Sequence, residues 1–469
     1  MSDPGRDPAF EAEPARHVSV AYLVMVAVAM VIGAGIFKSP ADVAANAGSF
    51  PWLMAAWLAG GAVSLIGAFC YAELATAFPN AGGDYHFLKT AYGKGLAFVF
   101  AWTRFAVINT GSLAVLGFVL GVYANEVVDL GPGGPALYAF GSIVAMTAWN
   151  LKGMYAAESV DYALTGLEVV GVVVIVTAGL VLVATGTPPA TPDPQVAPPP
   201  PDFFQAMVFV LIAFGGWSEI ATMSSEVKDA RRGMVKALTL STLLITALYL
   251  GVNWALWRGL GIEGLAASEA PAAALMGAAF GPYASLVLAV AVTLATVTSI
   301  NATIVVGART TYAAAHDWPQ LAAIGRWDAA RGIPLRAMLA QSLVALGLVA
   351  WGATTRDGFE ALVNFTAPVF WGFMVLSGLA LIVLRIRRPE AARPYRVPFY
   401  PLFPLIFCAA GAAMVWSSVG FVAYLWSDPA NRIGAYYNIA VVVAGVLAAA
   451  GLAATARRAD PRVQTQSVD

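Results

Sequence analysis

Two stretches of this chain offer backbone groups, more than side chains, as their chemistry. Val31-Ile32-Gly33-Ala34-Gly35-Ile36-Phe37 lies in the first apolar run, 18–46, and Ile212-Ala213-Phe214-Gly215-Gly216-Trp217 lies in the sixth, 203–226. A glycine inside a helix costs about 1 kcal/mol relative to alanine, so closely spaced glycines interrupt a helix more readily than they continue it. Within a bilayer an interrupted helix leaves N–H and C=O groups bare, and these are tolerated only against protein or a wet cavity. A break at Gly33-Ala34-Gly35 aims the positive dipole end of the next half-helix at the membrane midplane, a place to hold a carboxylate. The chain has 45 glycines, so a packing face for a neighbouring helix is the competing use of one such stretch. A second break at a matching position favours binding.

Side-chain chemistry is sparse by comparison. Glu168 lies in the fifth apolar run, where an unpaired acid costs several kcal/mol, so it reads as a functional group or as a protonated acid hydrogen-bonded for structure alone. Asn109, Ser112 and Asn301 are polar groups within apolar runs, suited to helix–helix hydrogen bonds or to contact with a solute. Arg104, near the start of the third run, reads as a side chain that snorkels to the interface more readily than it binds a solute. Only His17, His86 and His316 are available as histidines, and neither HExxH nor GxxxxGK[ST] occurs. Cys70 and Cys408 both sit in apolar runs and imply neither a disulfide framework nor a metal cluster. Enzyme chemistry, a cofactor, a resident metal and nucleic-acid binding all find no support.

The elements that must position these groups are membrane helices. Hydrophobic residues make up 59% of the chain, charged residues 11%, and mean hydropathy is +0.73, against roughly half and a quarter in soluble domains. Apolar runs bounded by Gly, Pro or charge give twelve predicted spans: 18–46, 51–77, 95–128, 135–151, 159–185, 203–226, 236–258, 281–314, 335–354, 359–385, 399–426 and 433–456. With both termini inside, only Lys38, Arg258, Arg356 and Arg432 of the 26 basic residues fall on the outer side, which sets the orientation. Spans one and six then open two halves of five spans each, and because five is odd the halves run in opposite directions. Residues 1–17 lack the basic region of a signal peptide and read as a disordered cytoplasmic tail. The first inverted repeat is assigned to 18–185, a Pro-rich outer loop to 186–202, the second repeat to 203–385, two additional helices to 386–456 and a second cytoplasmic tail to 457–469. Residues 79–92 and 316–331 read as inner loops with short surface helices.

Four pieces carry a family resemblance: GAGIFKSP from Gly33, YAELATAFPNAGGDY from Tyr71, FGGWSEIATMSSEVKDARR from Phe214 and LRIRRPEAARPYRVPFYP from Leu384. In these the chain resembles a bacterial amino-acid permease of the amino acid–polyamine–organocation superfamily, near the L-type amino-acid transporter branch. The resemblance implies an all-α integral membrane protein with the leucine-transporter-like fold, a 5+5 inverted repeat with discontinuous helices 1 and 6. It also implies a substrate site, with the carboxylate on the N–H groups of Ala34, Gly35 and Ile36 and the ammonium on the carbonyls of Val31, Ile212 and Gly215. Ile32, Gly33, Phe214, Gly216 and Trp217 complete the two breaks, Ser112 faces them, and Phe370 with Trp371 is a candidate wall for the substrate side chain. Many relatives carry a serine at Ala34, an aromatic gate at Ile212 and a lysine at Glu168. Phe214 or Trp217 is the candidate replacement gate, and Glu73 is either a latch to the loop arginines or a snorkelling, solvated acid.

With the sign at Glu168 reversed, the expected coupling site takes a cation. It lies beside the carbonyls of Ala29 and Ile32 and the hydroxyls of Thr298 and Ser299, with a proton ranked ahead of Na+. The function implied is secondary active transport of amino acids by alternating access, neutral ones because no acidic pair or basic residue was found around the breaks. Ion-independent exchange and a non-transporting amino-acid sensor are the alternatives. The expected location is the plasma or inner membrane, multi-pass in the lipid bilayer with both termini cytoplasmic; no oligomeric state is specified.

Overall fold

The computed structural model describes residues 20–425, except positions 34, 81, 152–157, 188–200, 227–229, 317, 319–323, 325, 329–332 and 356, together with single positions between 436 and 451. The two tails, most of the Pro-rich loop and most of the twelfth predicted span therefore lie outside the described residues. Regular secondary structure among the described residues is helical, apart from one isolated bridge between Asp328 and Ile333.

The first predicted span is two helices, α1 (Val20–Val31) and α2 (Gly35–Ala47), followed by α3 (Phe50–Ala77) and the short α4 (Gly83–Tyr92). The third span begins as α5 (Lys94–Thr103), loosens into a π-helical turn at Arg104–Asn109 and continues as α6 (Thr110–Val127). Then come α7 (Gly134–Asn150), α8 (Glu158–Ala184) and α9 (Phe203–Ala213), the last giving way to a 3-10 segment at Trp217–Glu226. The second part of the chain holds α10 (Ala230–Ala267), α11 (Pro271–Phe280), α12 (Pro282–His316), α13 (Leu335–Gly352), α14 (Gly358–Arg387) and α15 (Leu402–Leu425).

The ends follow ordinary capping chemistry. Asp202 caps α9 by accepting from the N–H groups of Phe204 (3.0 Å) and Gln205 (3.1 Å), and Asp357 caps α14 through Glu360 N–H at 3.1 Å. Pro51, Pro135 and Pro271 occupy first-turn positions of α3, α7 and α11, where a missing N–H costs nothing. The seventh predicted span overshoots its expected end at 258: α10 runs on to Ala267 with a kink at Gly261, whose φ of 69° is open to glycine.

Among the described residues, seven helical stretches are long and apolar enough to cross a membrane: Phe50–Ala77, Lys94–Val127, Gly233–Ala267, Pro282–Tyr312, Leu335–Gly352, Gly358–Arg387 and Leu402–Val419. Val169–Ala184, Phe203–Ala213 and Pro271–Phe280 are shorter apolar helices. Packing against α3 is close because Gly60 and Gly61 lack side chains; a Cβ there would collide with Val210 of α9 and Thr246 of α10. One apolar core runs through the whole bundle, from Leu23 to Met414.

Candidate functional site

The breaks of α1 and α9 meet. After Val31 the Ile32 N–H still reaches Val28 O (2.7 Å), the Gly33 N–H folds back on Val31 O (2.8 Å), and α2 restarts at Gly35. After Ala213, Phe214 N–H reaches Val210 O (3.0 Å), Gly215 N–H turns to Ile212 O (2.9 Å), and Gly216, at φ 107°, leads into the 3-10 segment. Gly35 lies against the backbone of Ala213, so close that an added Cβ would sit 3.6 Å from its Cα. One side chain bridges the two: the Tyr249 hydroxyl of α10 lies 2.7 Å from Val31 O and 3.0 Å from Ala213 O. Tyr249 is fully buried, wedged between Trp57 (ring centroids 5.4 Å apart) and Phe214 (5.0 Å).

A cavity of about 880 Å³ opens beside the breaks. Val31, Gly33, Gly35, Ile212, Ala213, Gly215 and Gly216 line it from the breaks, and Ile108, Asn109, Ser112 and Val115 from the third predicted span. Thr298, Ser299 and Thr303 of α12 and Val363, Thr366 and Phe370 of α14 close the ring. Ser112, Phe370, Thr298 and Ser299, all named from the sequence, therefore share one cavity wall with the breaks.

Other expected residues stand elsewhere. Ile32 and Ile36 are fully buried and do not line the cavity. Phe214 turns away onto Trp57 and Tyr249, and Trp217 onto Tyr71 (5.1 Å) and Phe407 (6.3 Å), so neither candidate gate ring borders the cavity. Trp371 is absent from the wall, and Asn301 accepts from Asn150 Nδ2 at 2.6 Å as a helix–helix tie. Val31 O accepts from Gly33 N–H and Tyr249 OH, and Ile212 O from the N–H groups of Phe214 and Gly215, so these carbonyls are engaged within the protein in this arrangement. Thr298 Oγ1 donates to Ala295 O at 2.6 Å, and Ser299 Oγ lies next to Gly33. Ala34 falls outside the described residues, as do the side chains of Ala29 and Glu168. Gly166 and Val169, flanking Glu168 on α8, border the cavity.

Three charged residues that the sequence reading left off the site line one end of this cavity. Arg104, expected to snorkel, instead donates from Nη2 to Glu219 Oε1 at 2.7 Å, joining the π turn to the 3-10 segment. Opposite charges each lodged in an apolar run are costly alone, and that mutual need was the available signal. Asp84 of α4 accepts at Oδ1 from Tyr71 OH (2.6 Å) and Ser377 Oγ (2.9 Å). Burial lifts its carboxyl to about 6; the Tyr71 bond opposes this, Glu219 adds to it, and Arg104 and Ser377 oppose it.

The two ends of the bundle differ. Near Glu73, which is buried, the carboxylate accepts from Arg385 Nε (2.7 Å) and Nη2 and from Val397 N–H (2.7 Å), with Arg393 Nε at 3.6 Å. That ties α3 to the end of α14 and to the RPYRVP stretch. At the opposite end Lys38 pairs with Asp357 at 3.5 Å, Tyr123 OH donates to Phe37 O (2.8 Å), and Phe209 stacks on Phe359 with centroids 6.5 Å apart. None of those residues borders the cavity, whereas Asp84, Phe373, Met374 and Ser377 do. The cavity thus extends toward the Glu73 end and is packed shut toward the Lys38 end.

A family model described as amino acid permease matches residues 18–449. The b(0,+)-type amino acid transporter 1 of Mus musculus is 27% identical over 390 residues, 82% of this chain and 79% of that protein. The Asc-type amino acid transporter 1 of Mus musculus is 26% identical over 425 residues, covering 87% and 79%. Large neutral amino acids transporter small subunit 2 of Mus musculus is 25% identical over 467 residues, covering 94% and 84%. These are transporters, not enzymes. The apolar helices, the paired breaks facing one cavity and the match over nearly the whole length agree, and the chain belongs to the amino acid permease family of multi-pass membrane proteins.

Proposed function

We propose that this protein is a secondary active transporter of neutral L-amino acids, working by alternating access with a cation, a proton ahead of Na+. The observation that carries the reading is the meeting of two helix breaks at the wall of one cavity. At that point α2 begins and α9 ends, so a positive and a negative dipole end lie side by side. A zwitterion needs donors at one end and acceptors at the other, and broken helices supply both without an unpaired charged side chain. The N–H groups at the start of α2 take the carboxylate, each such helix-end contact being worth roughly 0.3–1 kcal/mol, up to ~2 when partly buried. Carbonyls at the ends of α1 and α9 take the ammonium, with Tyr249 giving up its hold on Val31 and Ala213 as it arrives. Val28, Ile108, Val115, Val363 and Phe370 offer the side chain an apolar wall. The cavity volume falls within the usual range for small-molecule sites, roughly 300–1,000 Å³.

In this reading the fold is a twelve-span 5+5 inverted repeat, placed in the plasma or inner membrane with both tails cytoplasmic. The Glu73 end then faces inward, and the arrangement is the inward-facing one, closed outside by Lys38 and Asp357. The test is counterflow in proteoliposomes with labelled leucine, arginine and glutamate, with and without pH and Na+ gradients. Leucine uptake accelerated by an acid-outside gradient is expected. Exchange indifferent to both gradients would replace symport by antiport of amino acids. Binding without flux would leave a sensor and overturn the proposal.

A further inference from the structure

Asp84 stands apart among the charged groups of the cavity wall. Arg104 and Glu219 neutralise each other at 2.7 Å, and Glu73, away from the wall, is held by Arg385 and Arg393. Asp84 has no cation within ion-pair distance among the described residues. Its Oδ1 takes the two hydroxyl donors, and its Oδ2 has no hydrogen-bond partner among them. A carboxylate bordering the cavity with one oxygen unclaimed invites a positive ligand. No group of three His, Cys, Asp or Glu side chains among the described residues suits a metal.

We propose that Asp84 is a proton-binding site of the transport cycle, loading and unloading one proton through the cavity at the Glu73 end. This rests on the transporter reading above and deepens its coupling step. The geometry gives the proton something to do. Tyr71 is on α3, Asp84 on α4 and Ser377 on α14, so the ionised carboxylate fastens three helices through one oxygen. A hydrogen bond to an ionised acceptor is roughly twice as strong as one to a neutral group, so protonation loosens α4 from both neighbours. The groups facing Asp84 are Tyr71 from α3, Ser377 and Met374 from α14, Arg104 from the π turn and Glu219 from the 3-10 segment. On α4 itself lie His86 and Lys89, and α5 brings only Lys94, at its exposed start. A carboxyl lifted to about 6 by burial exchanges its proton close to neutral pH.

The experiment compares accumulation of labelled L-leucine under an acid-outside gradient with leucine-for-leucine exchange between pH 5 and 8, in proteoliposomes. Asp84→Asn is expected to reduce gradient-driven accumulation to the level without a gradient, while exchange persists and loses its inflection near 6. Tyr71→Phe removes a donor to the ionised form and moves that inflection up. Glu219→Gln removes a negative neighbour and releases Arg104, so it moves the inflection down, each shift being about 0.5–1 pH unit. A purely structural role does not produce opposite shifts, and this pair decides the matter if Asp84→Asn fails to fold. Full gradient-driven accumulation by Asp84→Asn, or an inflection that neither variant moves, overturns the proposal. So does wild-type accumulation that ignores the gradient, which leaves an exchanging transporter standing. Wild-type protein that binds leucine without moving it sinks the transporter reading itself.

Discussion

At the first helix break the chain passes from α1 to α2 with Gly33 and Gly35 both outside the left-handed region, whereas at the second Gly216 sits at φ 107°. A methyl group on Gly33 would lie 3.9 Å from Ser299 Oγ, and on Gly35 3.6 Å from Ala213 Cα, ordinary contacts both. On Gly215 it would lie 2.8 Å from the carbonyl oxygen of Ile212, which is too close. The first pair of glycines therefore keeps side chains out of the cavity, and the second pair bends the backbone. The two breaks look alike in sequence and use glycine for different physical reasons. One leaves the cavity wall bare; the other makes a turn that no other residue makes without strain.

Gly216→Ala is the harshest test of that difference. A non-glycine residue held at such a φ costs of order 1–3 kcal/mol. The expected result is a thermal midpoint lowered by several degrees together with loss of leucine binding, measured on protein in nanodiscs. An unchanged midpoint would erase the distinction between the breaks. Gly215→Ala should follow, with about 1–2 kcal/mol lost as Ile212 O is pushed aside, typical of an overpacked methyl. Here too stability and binding should fall together, because the strain is in the backbone that carries the acceptors.

Tyr249→Phe probes what the breaks share. It removes one hydroxyl from between Val31 O and Ala213 O and leaves the ring against Trp57 and Phe214. About 1 kcal/mol of stability should go, the usual worth of one buried hydrogen bond. If Tyr249 competes with the substrate's ammonium, leucine dissociation slows even as the fold weakens. If it only braces the breaks, affinity and stability drop in parallel, and the two cases separate in a binding isotherm beside a melt.

Much of this was legible in the residues. Gly33-Ala34-Gly35 and Gly215-Gly216 marked both breaks, because a helix tolerates paired glycines poorly and a bilayer tolerates bare peptide groups only at a cavity. Glu73 offered two readings, an arginine latch or a solvated acid, and its burial against Arg385 and Arg393 selects the first. Other features were hidden for identifiable reasons. Tyr249 is one aromatic residue among many in apolar runs, and nothing in its neighbourhood marks its hydroxyl as the bridge. Arg104 and Glu219 lie 115 positions apart, and only the fold brings them within 2.7 Å. The ring directions of Phe214 and Trp217 depend on the turn at Gly216 and on 3-10 winding after it, and periodicity does not encode either. The different roles of the two glycine pairs turn on a φ angle, which a sequence of letters does not carry.

Gly33→Ala and Gly35→Ala should disturb the fold least, within about 0.5 kcal/mol, as substitutions do where a methyl finds ordinary contacts and no special φ is required. Their effect should appear in the ligand alone. Both glycines border the cavity at the point where α2 begins. A methyl there stands between an incoming carboxylate and the N–H groups that would hold it. Leucine affinity should therefore fall about tenfold, or about 1.4 kcal/mol, with the melting midpoint unmoved. Smaller amino acids should lose less than leucine if the methyl narrows the pocket, and the same amount if it only shields the donors. A melting midpoint that drops as far as in Gly216→Ala would mean the first break is also a backbone requirement, and the two pairs of glycines would then be doing one job.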